Sequence, residues 1–257
     1  MLKETHFFLS KTPAQIVVLA MSAGAFVTFG ALFSILLSTG VDASGPKLLL
    51  QGLGFSTGFF MVILTRSALF TEANVILPAG QLESLPVGLP MTALRFWGLA
   101  WVGNMLGAYL VGVTIAFAQN YSPEIREALT ATIAKKMAYQ AQGGPTSWLQ
   151  IVVSGMLGNG LIGMAAFLAT MANTLFGKYV PIFLVVTLFV AANLQHSPAN
   201  MGYFSLGMAM ESVPGWGSAF LWNIIPAGIG NILGGALLVA LPAWFTLRRS
   251  QPQELDR

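Results

Sequence analysis

The apolar run from about Tyr179 to Met210 is interrupted at its middle by Asn193, Gln195, His196, Ser197 and Pro198. Pro198 has no backbone N–H and disfavours a helical conformation at Ser197, so a helix arriving from either side breaks here. Broken helix at membrane depth is tolerated only where protein buries it or a cavity adjoins it. His196 is one of two histidines; the other, His6, lies in the polar N-terminus. A lone titratable group beside such a break is a candidate functional site. The plainer alternative is a histidine hydrogen-bonded between packed helices.

That reasoning requires a membrane protein, and the composition supplies one. Of 257 residues, 55% are apolar and 8% charged, against roughly 25% charged in soluble domains. There is no cysteine, which excludes disulfides, thiolate metal sites and cysteine nucleophiles. No cofactor is implied, and the net charge of +3 reflects loops and tails, with no sign of nucleic-acid binding. The first apolar segment, about Ala14–Ser38, is too long for a signal-peptide core and reads as a retained helix.

Six spans are expected, near Ala14–Ser38, Leu48–Pro78, Phe96–Ala118, Trp148–Ala172, the His196 stretch and Ser218–Thr246. The second runs to 31 residues, where roughly 20 suffice. It carries Arg66, Ser67, Thr71, Glu72 and Asn74, so two half-helices with an irregular joint are expected. Arg66 and Glu72 are the fully charged groups placed deep in a span, and they are expected to pair, since an unpaired buried charge is costly. A substrate-attracting Arg66 is the functional alternative. A polar loop covers 79–95, and the longest polar segment, 119–147, has room for a short surface helix. Seven Lys and Arg fall on the side of the termini and four on the other (Lys47, Arg126, Lys135 and Lys136), which favours cytoplasmic termini.

The chain also repeats itself. Gly103-Asn104-Met-Leu-Gly107-Ala-Tyr-Leu and Gly230-Asn231-Ile-Leu-Gly234-Gly-Ala-Leu both read G-N-x-L-G-small-x-L, 127 residues apart. The joints near Leu69–Asn74 and Leu194–Asn200 lie about 125 residues apart, as two copies of one unit would place them. We therefore expect a single transmembrane domain over 1–257, with halves near 14–118 and 148–246. An odd number of spans per half makes the repeat inverted. Paired interrupted helices in such halves point to a transport site near the midplane.

On these pieces the chain resembles the formate–nitrite transporter family over nearly its whole length. The matching residues are Ala23-Gly24-Ala-Phe, Leu69-Phe70-Thr71, Gly103-Asn104, Asn159, Phe189, His196-Ser-Pro-Ala-Asn200-Met201 and Gly230-Asn231-Ile-Leu-Gly-Gly. The resemblance implies an all-α, aquaporin-like bundle of six helices with broken second and fifth members. It also implies a homopentamer in the bacterial inner membrane, with one pore per protomer for small monovalent anions. By position, His196 would be the central pore histidine and Thr71 its hydrogen-bonding partner, with Asn159 and Asn200 further polar pore residues. Phe55, Phe59 and Leu69, with Phe70 beside them, would form one apolar constriction, and Phe189 would belong to another. Formate is the expected substrate, accompanied by protons; nitrite, hydrosulfide and other short carboxylates are alternatives. The sequence departs from the family pattern at Ala68, where an acidic residue is common, and at Gly143, where many members place a vestibule lysine.

An anion cannot cross a dry constriction cheaply: desolvating a carboxylate-sized ion costs of order 20 kcal/mol in the ideal limit and several after relaxation. A neutral acid avoids most of this. A histidine, titrating in free form near 6.5, can supply the proton or a transient positive partner. Other classes fit less well. A neutral-solute channel would want paired Asn-Pro-Ala joints, and an enzyme would want a second catalytic group beside His196. A non-transporting accessory subunit of a formate-oxidising enzyme is the remaining alternative.

Overall fold

The computed structural model describes residues 2–84 and 91–247. The described residues form helices and short connections. These are α1 (Leu2–Leu9), α2 (Pro13–Ser38), α3 (Ser44–Thr65), α4 (Phe70–Ser84), α5 (Met91–Ala118), α6 (Pro123–Lys136), α7 (Ala138–Gln142), α8 (Gly144–Met171), α9 (Leu175–Ala191) and α10 (Ser197–Glu211). The last, α11 (Trp216–Leu247), is continuous but π-helical over Phe220–Ile224 and Gly234–Ala240. Five helices (α2, α3, α5, α8 and α11) are long and apolar enough to cross a membrane, and α9 is a shorter apolar helix of 17 residues. The chain is a multi-pass membrane protein.

Local chemistry sets the ends. Thr12 and Gln15 form a reciprocal capping box ahead of Pro13, so α2 begins sharply. Thr174 caps α9 by accepting the Gly177 N–H at 3.0 Å. Close backbone contact then joins the helices. A Cβ at Gly107 would run into the Met21 carbonyl of α2, and one at Gly234 into the Met156 carbonyl of α8. The G-N-x-L-G segments of α5 and α11 are thus the places where those helices meet α2 and α8, as small residues permit.

Both expected breaks are present. The first spans residues 66–69 and the second 192–196. The first lies past a full-length helix, though, and not at mid-span: α3 alone has 22 residues, about 33 Å at 1.5 Å per residue. Three other expectations need correction. Residues 2–9 form a helix whose Phe8 is buried, so the N-terminus is not merely a polar tail. The loop expected over 79–95 shrinks, because α4 continues through Pro78 to Ser84 and α5 begins at Met91; residues 85–90 lie outside the described residues. The 119–147 segment is largely helical, with Leu129 and Ile133 of α6 buried against the bundle. The polar tail, with Arg248, Arg249 and Arg257, lies outside the described residues.

Candidate functional site

Each break is pinned by one asparagine. In the first, Asn104 of α5 accepts the Phe70 N–H at 2.9 Å and donates to the Ala20 and Ala68 carbonyls at 2.9 and 3.0 Å. In the second, Asn231 of α11 accepts the Ser197 N–H at 2.8 Å and donates to the Gly155 and Gln195 carbonyls at 2.8 and 3.1 Å. Ala68, Phe70 and Asn104 stand 127 residues before Gln195, Ser197 and Asn231. The same peg therefore holds the first amide of α4 and of α10, and with it the carbonyl two residues upstream. Asn159 of α8 ties the two places together, donating to the Thr71 carbonyl at 3.1 Å and the Asn231 carbonyl at 2.7 Å. These backbone groups would otherwise be orphans in a medium with no water to satisfy them.

His196 is the N-cap of α10 and is 1% exposed. Its Nδ1 accepts the Ala199 N–H at 3.2 Å. In the neutral ring the proton then sits on Nε2, and Nε2 has no partner among the described residues. The Phe189 ring lies edge-on to the imidazole, 5.5 Å between centroids. Phe55 packs on Phe189 at 6.1 Å and stacks on Tyr203 at 6.1 Å. The three rings form part of the wall of a cavity of about 130 Å³ that Thr132, Lys135 and Lys136 also line.

Beside that wall sits a closed set of amides. Gln195 Oε1 accepts from Asn200 at 2.9 Å and from Asn223 at 3.0 Å, and Asn200 also donates to Asn223. Asn223 in turn donates to the Lys136 carbonyl at 2.9 Å. The Lys136 ammonium, buried at the end of α6, donates to the Leu194 carbonyl at 3.1 Å and lies 5.8 Å from the Phe189 ring centroid. Among the described residues no carboxylate pairs with it: the ion pairs are Arg66–Glu4 and Arg126–Glu211. Burial pulls the Lys136 ammonium below the usual lysine range, to about 7.

A family description, formate/nitrite transporter, matches residues 3–245. The chain belongs to the formate/nitrite transporter family. It is 31% identical over 245 residues to a probable formate transporter of Methanothermobacter thermautotrophicus, covering 90% of this chain and 88% of that one. With the formate channel FocA of Escherichia coli it shares 27% over 258 residues, covering 91% and 87%. A solved pentameric formate channel with formate bound superposes with a TM-score of 0.79 at 23% identity, over 91% of this chain and 97% of that one. Another solved structure, an FNT family ion channel, gives 0.78 at 22%, over 96% and 98%. These relatives are transporters and channels, and this family member is not an enzyme.

Several residues singled out from the sequence fall elsewhere than expected. No hydrogen bond joins Thr71 to His196: Thr71 Oγ1 and His196 Nε2 are both without partners. Phe55 and Phe189, assigned to different constrictions, share one cavity wall. Phe59 and Leu69 belong to the same apolar cluster as they do, whereas Phe70 packs in a separate one with Phe8, Ile16 and Ala20. Asn159 is as much a brace as a polar surface, though its Oδ1 and that of Asn200 remain unpartnered.

Arg66 does not pair with Glu72. It ends α3 in the left-handed conformation, φ 53°, and turns outward to Glu4 of α1 at 2.8 Å, with the Phe7 ring 3.7 Å beneath it. Glu72 is buried with Oε2 unpartnered. Lys136, which the sequence places upstream of the expected vestibule position beside Lys135, was not singled out as a site residue. Counting back from Asn159 points to Gly143; the cation instead arrives from the preceding helix, and only the fold brings it to Leu194.

Proposed function

We propose that this chain is a channel for small monovalent anions, formate foremost, that pass its apolar wall as the neutral acid with His196 as proton partner. The observation that carries this reading is the His196 ring: buried, fixed by its Nδ1 to the α10 backbone, and left with Nε2 free beside Phe189. The N-cap bond sets which nitrogen faces the permeant, so an arriving carboxylate meets an N–H and not a lone pair.

The rest of the site serves the same chemistry. Lys136 supplies a buried positive charge with no counter-ion among the described residues, and the N-terminus of α10 adds its positive dipole end. Both draw an anion toward the cavity lined by Phe55 and Phe189. A charged His196 carries its second proton on Nδ1 and gives up the bond from the Ala199 N–H. Transfer of its Nε2 proton to formate then breaks one N–H bond, makes one O–H bond and leaves two neutral species. The neutral acid crosses the rings without the desolvation cost of the ion. Thr71, Asn159 and Asn200 offer polar atoms along the path. The names of the relatives favour formate over nitrite or hydrosulfide, and the solved pentameric formate channel supports a homopentamer, in which this reading gives each protomer its own pore. We place the protein in a bacterial inner membrane, its halves inverted and both termini cytoplasmic.

Liposomes containing only this protein test the reading. Formate should enter, with protons, faster than acetate, and water or glycerol should not. His196→Asn should assemble normally yet lose weak-acid uptake and its variation between about pH 5 and 8, since an amide cannot become cationic there. A well-assembled His196→Asn protein with wild-type flux and pH profile would reduce His196 to a packing residue. Wild-type liposomes that pass no anion would favour the accessory-subunit alternative.

A further inference from the structure

Some unpartnered polar atoms belong to the pore residues, and those of Asn74 and Gln81 extend them along α4. At about 100° per residue, Thr71, Asn74, Pro78 and Gln81 fall within about 80° of one another on α4. Thr71 Oγ1, both side-chain polar atoms of Asn74 and Gln81 Oε1 have no protein partner. Thr71 and Asn74 are 0% exposed and Gln81 is 7% exposed. Pro78 has no N–H to offer the Asn74 carbonyl four residues before it, so that turn of the helix is short of a donor as well. Gly235 of α11 lies against this face: a Cβ there would sit 2.7 Å from the Asn74 carbonyl and 2.8 Å from Asn159 Nδ2. Asn159 Oδ1 is unpartnered too.

A buried polar atom without a partner costs about 1–3 kcal/mol. Several on one helix face, in a medium where backbone and side chains have no other solvent, are groups that internal water would satisfy. A water needs two to four polar neighbours; Thr71 and Asn74 lie about one turn apart on this face, and Gln81 lies about two turns, roughly 10.5 Å, beyond Asn74 with Pro78 between them. Apolar packing lies to one side of it, where Val75 and Ala79 meet Val239 and Ala240. Glu72, with Glu4 and Arg66 near it, projects from another side of α4.

We propose that the Thr71–Asn74–Gln81 face of α4, closed by Asn159 and Gly235, holds a file of internal waters that relays protons to the joint at Thr71. Asn159 bonds the Thr71 carbonyl and the Asn231 carbonyl, and Asn231 grips Gln195 and Ser197 on either side of His196. The face is thereby tied to the segment that carries His196. Each water accepts one proton and passes another on. Only O–H bonds form and break along the file; at the imidazole the proton bonds the lone-pair nitrogen, Nδ1, which releases the Ala199 N–H, and its source is the solvent. The relay role rests on the reading of His196 given above; the presence of water does not.

Net uptake of formic acid requires His196 to be reprotonated after every transfer. Exchange of labelled for unlabelled formate does not, because the returning acid brings the proton back. Asn74→Leu and Gln81→Leu remove the polar face at two depths without touching the pore residues. A high-resolution cryo-EM map of the native protein in lipid nanodiscs should show ordered water bonded to the Asn74 side chain. In liposomes both variants should retain formate exchange and lose net proton-coupled uptake, read by an internal pH dye. A dry Asn74 in that map overturns the proposal. So does wild-type net uptake in both variants, or equal loss of exchange and uptake, which would put these residues on the permeation path itself. If native liposomes move no formate, the reading of His196 fails, and the water at Asn74 is still decided by the map.

Discussion

Truncating Asn231 to alanine removes three buried bonds at once: the one that holds the Ser197 amide and the two to the Gly155 and Gln195 carbonyls. Interhelical hydrogen bonds in membrane proteins average about 0.6 kcal/mol and reach about 1.7, so the loss should be about 2–5 kcal/mol. Asn104→Ala removes the equivalent three, to Phe70, Ala20 and Ala68, and should cost a similar amount. The two differ in consequence. Asn231→Ala frees the segment that carries His196 and should abolish formate flux even where folded protein survives. Unfolding in mixed micelles, followed by tryptophan fluorescence at fixed protein concentration, measures the stability term; liposome flux measures the other. A loss below about 0.5 kcal/mol, less than one average bond, at either position would refute the claim that these asparagines pin the joints. A large loss at one and none at the other would refute their equivalence.

Lys136→Met should weaken apparent formate affinity, because a unit charge about 4 Å from an anion contributes about 1 kcal/mol in water and about 4 at an effective dielectric of 20; concentration dependence of flux checks it. The Lys136 ammonium titrates at about 7 and is charged below that value. Wild-type affinity should therefore fall as pH rises through 7, and Lys136→Arg, which stays charged, should flatten that limb. Glu4→Gln breaks an ion pair whose side chains are 27% and 43% exposed, so it should shift stability by less than about 1 kcal/mol in the same unfolding assay. Phe189→Ala and Phe55→Ala each open the cavity wall and should raise acetate flux relative to formate; unchanged selectivity would remove the rings from the barrier.

Much of the fold was legible because the sequence states it locally. Pro198 and the cluster around it announce the second break, and the polar run from Arg66 to Asn74 announces the first. The G-N-x-L-G segments announce a repeat, and what they do became visible only with coordinates: the asparagine is a cap for a helix in another part of the chain, 34 residues away in both copies. The Arg66–Glu72 pairing failed for a related reason. Arg66 takes a left-handed turn that sends its side chain outward. The competing carboxylate sits in α1, which Phe7-Phe8-Leu9 and the capping box at Thr12 could have signalled. Lys136 had no local signal. It stands next to another lysine at the end of a polar helix, and its contact with Leu194 spans 58 residues.

The two joints share a peg but not a load, and this difference gives the site a direction. At the first, the amide held by Asn104 is that of Phe70, in an apolar cluster, and the next side chain is the Thr71 hydroxyl. At the second, the residue before the held amide is His196, and Lys136 stands behind it with its backbone tied to Asn223 and its ammonium to Leu194. Every bond in the Gln195–Asn200–Asn223 set is between neutral amides. A carboxylate at position 195 would have served the same two donors and would also have cancelled the lysine. The neutral amide satisfies the geometry and leaves the positive charge uncompensated by protein. On the proposed reading, an anion is the partner that completes the second joint. On the same reading the first joint, where Arg66 is paired with Glu4 and where Thr71, Glu72 and Asn74 follow Phe70, meets the neutral acid.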